Sequence, residues 1–136
     1  MKQEKEVIFK TQFELDKCLS KWMALLDLED WEIYIEFDNN IDYRGIVNYE
    51  FSLKQARIFI IEADEYYKNC SGICFDMEKI IVHELIHIMF SPVDKAVGKK
   101  TMKRIAPFEE RFVNDMADKL VMIERARNVS GGKTED

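Results

Sequence analysis

Proline and glycine are scarce in this chain, two and five residues of 136, against an average share of about 12% for the pair. That scarcity excludes collagen-like, low-complexity and loop-dominated folds. Apolar runs are short as well. None approaches the ~18 residues that a membrane-spanning helix requires, so no membrane partner is expected. Cysteine is limited to three residues, an odd number that cannot form a complete disulfide framework. Glu4 and Glu6 stand where a signal peptide would carry apolar residues, so a reducing, cytoplasmic setting is expected. Basic residues are outnumbered, 20 Lys and Arg against 26 Asp and Glu, for a net charge of −6. That balance argues against a nucleic-acid partner bound by a basic surface.

What remains is a charged but well-patterned chain, 47% apolar, of a length that suits one domain. The reading is a single domain over residues 1–127, followed by a disordered tail over 128–136, where Asn-Val-Ser-Gly-Gly-Lys-Thr-Glu-Asp is small and polar. Thr11-Gln-Phe-Glu14 has the form of a capping box, and Leu15, Cys18, Leu19, Trp22, Met23 and Leu26 follow at helical spacing. A helix is predicted over 11–27. From Trp31 to Asp38 apolar and polar residues alternate strictly, which predicts a half-buried strand. Two further β-rich runs, 46–51 and 55–62, are separated by Ser52-Leu-Lys54, the spacing of a hairpin. The second is apolar on both faces, which predicts cover on both sides. Glu62–Tyr67, acidic and aromatic, follows what is expected to be the edge strand. Asp76 can cap a helix with its body over 77–90, closed by Ser91-Pro92. Pro107 suits the first turn of a last helix, with Glu109 and Glu110 near its positive end. The predicted fold class is α+β: helices packed on one small, mainly antiparallel sheet.

The residues with chemistry are His83-Glu84-Leu85-Ile86-His87. Side chains four apart on a helix share one face, so two imidazoles can reach one metal ion without bending the backbone. These are the chain's two histidines, and random placement would set such a pair four apart roughly once in 70 trials. The surrounding helix is apolar almost all round, and a helix of that kind is buried. Glu84 has no Lys or Arg three or four residues away. A cation would resolve the cost of burying two imidazoles and a carboxylate together. Zinc suits such donors: it lowers the pKa of a bound water to about 7, and a neighbouring carboxylate can then act as general base. A catalytic zinc takes three protein ligands, and with no third histidine the last must be Asp, Glu or Cys. Glu109 and Glu110 on the next helix are both candidates. Asn114, one turn after Glu110, could support it.

His83-Glu-Leu-Ile-His87 followed by a glutamate-bearing helix resembles the gluzincin branch of zinc metallopeptidases, in which H-E-x-x-H precedes E-x-x-x-D. Glu110-Arg-Phe-Val-Asn114 fits, with Asn for Asp. The stretch Glu110–Ala117 is similar to that of ImmA/IrrE-type peptidases, and the size and element order are similar to small metallopeptidases of phages and prophages and to minigluzincins. The resemblance implies a zincin-like fold with Zn²⁺ on His83, His87 and Glu110, and with Glu84 as general base. It further implies a peptide or protein substrate lying extended along an edge strand, over a shallow cleft. Phe90 and Val93 stand where the metzincin continuation would place Gly and His. Tyr66 and Tyr67 are near in sequence, but neither is assigned to an oxyanion. The alternative function is a non-catalytic, metal-stabilised binding or regulatory module, such as a phage accessory protein. Cys70 and Cys74 are read as free thiols. The basic segment 95–104 is read as a solvated stretch or as a basic lip beside the cleft.

Overall fold

A computed structural model describes residues 6–69 and 75–132 of the chain. Helix α1 spans Gln12–Leu25. The capping box is formed: the Thr11 hydroxyl accepts from the Glu14 N–H, and the Glu14 carboxylate accepts from the Thr11 N–H at 3.1 Å. Leu15, Cys18, Leu19 and Trp22 are its buried face. Burial pushes the Cys18 thiol up to about 12, which makes it an inert part of the core.

The sheet has three strands, β1 (Glu32–Phe37), β2 (Gly45–Glu50) and β3 (Gln55–Ile60). β2 and β3 form the expected antiparallel hairpin, through a short 3-10 turn at Phe51–Leu53 and a left-handed Lys54 with φ 50°. The sheet as a whole is mixed rather than mainly antiparallel. Its order is β1-β3-β2, with β1 parallel to β3. β3, the most apolar strand, takes the centre, where both its edges are paired, and β2 becomes an edge strand in its place. Register sets three rows toward the helices: Ile33, Ala56 and Tyr49, then Ile35, Ile58 and Val47, then Phe37, Ile60 and Gly45. On the opposite face of β3 Gln55 and Arg57 are exposed and Phe59 is half-buried, so among the described residues that side lacks the cover expected of it.

Helix α2 spans Ala63–Asn69, taking in most of the acidic, aromatic segment 62–67. Its Tyr66 stacks on Phe75 at 4.3 Å. Helix α3, Met77–Met89, begins at Asp76, whose side chain accepts from the Lys79 N–H. It packs on β2, β3 and α1, and Ile81, Val82 and Leu85 are fully buried.

The last helix differs most from expectation. α4 runs from Ser91 to Gly132, with Pro107 inside it, and is broken at Gly98, where φ is 77° and ψ 163°. Pro92 falls in the first turn, where a missing N–H costs nothing, so Ser91-Pro92 closes α3 and opens α4 together. At Gly98 only glycine adopts that conformation without strain. Residues 128–132 continue the helix rather than begin a disordered tail, because nothing between Pro107 and Gly131 interrupts helical geometry. Cys70, Cys74 and residues 133–136 lie outside the described residues. No helix among the described residues is long and apolar enough to cross a membrane.

Close approach of β2 to α3 depends on Gly45. A Cβ there would lie 2.5 Å from Ile80 Cγ2 and 3.7 Å from Glu84 Oε2. Ile80 is branched and buried, so it cannot swing aside. Gly45→Ala is expected to destabilise the fold by about 1–3 kcal/mol. A thermal melt indistinguishable from wild type would show that strand and helix are not held this close.

Candidate metal centre

α3 places His83 and His87 one turn apart on the face that meets α4 across a cleft. The cleft measures about 450 Å³, and its lining includes Tyr43, Arg44, Gly45, His83, Glu84 and Glu110. The two imidazoles converge: their Nε2 atoms are 3.2 Å apart. Glu110 of α4 spans both, with Oε1 at 2.9 Å from His83 Nε2 and Oε2 at 2.9 Å from His87 Nε2. Glu109 takes a different place. Its Oε2 lies 3.0 Å from His87 Nδ1, on the far side of the ring. The sequence left Glu109 and Glu110 open as alternatives; in the structure they occupy opposite edges of one imidazole.

These contacts cannot all be satisfied by two neutral rings. A neutral imidazole carries one N–H. With that proton on His87 Nδ1, facing Glu109, the His87 Nε2 lone pair is left pointing at a carboxylate oxygen and at the other ring. Burial strips solvent from the His83 cation and holds its pKa below the ordinary value, against the opposing pull of Glu110. A cation among the two Nε2 atoms and the Glu110 carboxylate would satisfy all of these lone pairs at once. Two imidazoles and one carboxylate are a donor set that zinc can take. Tetrahedral zinc with bonds of 2.0–2.1 Å separates two nitrogen ligands by about 3.3 Å, close to the 3.2 Å between these atoms.

Glu84 lies beside this group and is 6% exposed. Burial pushes its carboxyl up to about 7, with His87 pulling down and Glu110 pushing up, and no hydrogen bond contributes. His83, Glu84 and His87 each bring a donor atom within 4.8 Å of the others.

Other expected residues fare variously. Asn114 lines the cleft but is not hydrogen-bonded to Glu110. Tyr66 is in the core, and the Tyr67 hydroxyl donates to Glu6, so neither is a cleft residue. Lys95, Lys99, Lys100, Lys103 and Arg104 do not line the cleft; its cations are Arg44 and Lys79, the latter 3.6 Å from Asp118. Sequence reasoning passed over Tyr43, Arg44 and Gly45, which sit on a loop and strand start without a chemical pattern. It also missed Tyr49 and Asp94, whose hydroxyl and carboxylate are 2.5 Å apart beside Glu109. No family model, curated protein or solved structure matches the chain.

Proposed function

We propose that this chain is a zinc-dependent metallopeptidase with a zincin-like arrangement, hydrolysing peptide bonds of peptide or protein substrates in a cytoplasmic setting. The observation that carries this reading is the convergence of His83 and His87 Nε2 on one Glu110 carboxylate, with the buried Glu84 at their side. His83, His87 and Glu110 would hold the ion. When bound, zinc would supply a Lewis acid for the scissile carbonyl and acidify water. Glu84 would take a proton from the water that attacks the peptide carbonyl and pass it to the amine released when the C–N bond breaks. β2 is an edge strand whose outer side pairs with no strand among the described residues, and its first residue, Gly45, lines the cleft. An extended peptide can add to such an edge by main-chain hydrogen bonds. The motif's resemblance to gluzincins supports the same assignment.

The test is metal analysis of the purified protein, with melts in zinc and a screen on a peptide library. One zinc per chain is expected. Zinc at a hundredfold its Kd should stabilise the fold by about 2.7 kcal/mol, and His83→Ala should abolish that gain. Cleavage should stop on chelation and return with zinc. A protein that gains stability from zinc but cleaves nothing would instead be the metal-stabilised binding module.

A further inference from the structure

We propose that Arg44 is a specificity-determining residue that pairs with a carboxylate of the substrate peptide near the bond to be cut, an inference that rests on the peptidase reading above. Arg44 directly precedes β2, and its carbonyl accepts from the Ile61 N–H at 3.1 Å, which ties its backbone to the residue after β3. It is exposed and lines the cleft together with His83, Glu84 and Glu110. Among the described residues its side chain has no ion pair and no hydrogen bond. The acids of the cleft are engaged elsewhere. Asp76 is held by Arg125 at 2.8 Å, Asp118 lies 3.6 Å from Lys79, and Glu110 bridges the two imidazoles. Lys79 is the other cation of the lining and already has Asp118, so Arg44 is the one left to meet an incoming anion.

A guanidinium presents its N–H donors in a planar fork that fits a carboxylate through two parallel hydrogen bonds. No internal pair has to be broken before Arg44 makes them. Its place in the chain says which carboxylate. A Cβ on the next residue, Gly45, would stand 3.7 Å from Glu84 Oε2, so the backbone beside Arg44 borders the carboxyl assigned as base. The anion it takes therefore belongs to a residue close to the scissile bond. Net charge sharpens the expectation. A chain of net charge −6 repels an acidic peptide at long range, so a preference for one requires a local contact. Two sources supply the carboxylate: an Asp or Glu side chain, or the peptide's own C-terminus.

The experiment uses fluorescent peptides of one uncharged sequence. In one set a single Glu is moved along an amidated chain, in a second the same positions carry Gln or Lys, and a third has a free C-terminus at successive lengths. Binding is read by anisotropy on the metal-free protein, where nothing is cleaved, and kcat/KM on the zinc-loaded protein. Wild type should bind and cleave the best carboxylate-bearing peptide roughly 10–100-fold better than its Gln amide, the range for a hydrogen bond to a charged group. Arg44→Ala should remove that difference, and Arg44→Glu should turn it toward the Lys peptide. Arg57→Ala deletes the same charge from the opposite face of the sheet and should leave the preference intact. A gain at one Glu position assigns the side chain as the source, and a gain with the free C-terminus assigns the terminus.

Equal handling of the carboxylate peptides and the Gln amide by wild type overturns the proposal, as does a failure to bind any peptide. So does a preference that survives Arg44→Ala, or one that Arg57→Ala removes equally. A preference in binding that disappears with Arg44→Ala, in a protein that cleaves nothing when loaded with zinc, sinks the peptidase reading and leaves Arg44 as the anchor of a peptide-binding cleft. Cleavage with no carboxylate preference does the reverse.

Discussion

Glu84→Gln is expected to leave the zinc content of the protein unchanged and to slow peptide hydrolysis by roughly 10²–10⁴-fold, the contribution of a positioned general base. The substitution keeps the shape of the side chain and removes only its ability to take a proton. His83, His87 and Glu110 meet one another without it, so the ion should keep its three ligands. The metal-free protein should melt no lower than wild type, because the carboxyl being replaced is buried and receives no hydrogen bond among the described residues. Metal analysis, melting and turnover on one preparation separate the roles. Loss of zinc on Glu84→Gln would make Glu84 a ligand, a role its proximity to both histidines also allows, and would remove it as the base. Unchanged turnover with full zinc would remove it from the chemistry.

The largest effect on stability is expected from Arg125→Ala. Arg125, on α4, lies 2.8 Å from Asp76 and 3.1 Å from Glu78, and both acids are buried. Trp22 Nε1 donates to Glu78 at 2.8 Å, and Lys21 approaches it at 3.2 Å. Asp76 is also the residue that caps α3, so this cluster fixes the start of the helix that carries both histidines. Removing the guanidinium leaves two buried carboxylates short of their cation, a loss of about 3–5 kcal/mol. In a chain of this length that corresponds to a melting temperature lower by about 10 °C or more.

The pH dependence of the wild type follows from the same cluster. Burial alone would raise the Glu78 carboxyl, but hydrogen bonds from Trp22, Lys21 and Arg125 outweigh it and hold the group below the ordinary value of 4.5. A carboxyl depressed on folding contributes stability above its unfolded pKa and loses it as pH falls through the folded one. The wild-type melting temperature should therefore fall as pH drops below about 4.5, and the fall should be shallower for Arg125→Ala. Melts of both proteins between pH 3 and 7 check this; equal curves at pH 7 would show that Arg125 holds nothing in place.

Much of this was legible in the sequence where the signal is local. The Thr11–Glu14 capping box and the Asp76 cap concern residues three apart, and both formed. The alternation after Trp31 marks a strand with one buried face, but it carries no information on which neighbour that strand joins, and the parallel pairing of β1 with β3 could not be read from it. Pro107 reads as a helix start because a first turn tolerates it, yet here it lies inside the helical segment that follows the break at Gly98.

The histidine pair was legible because helical spacing places the two rings on one face. The choice between Glu109 and Glu110 was not: neighbours point about 100° apart around a helix, and which one meets Nε2 depends on how two helices cross. Asp94, Tyr49 and Arg125 were invisible for the same reason. Each meets its partner only through the tertiary fold.

The bend at Gly98 has a consequence for the metal reading. His83 and His87 precede it, and Glu110 follows it. An ion gripping all three would pin the two ends of the intervening stretch together, much as a covalent bridge does. An unfolded chain would release the ion, so the gain would be its binding free energy to the folded state and not a constraint on the unfolded one. The elbow would then be a tethered loop in the loaded protein and an untethered one in the stripped protein, so taking up the ion and completing the fold would be one thermodynamic event.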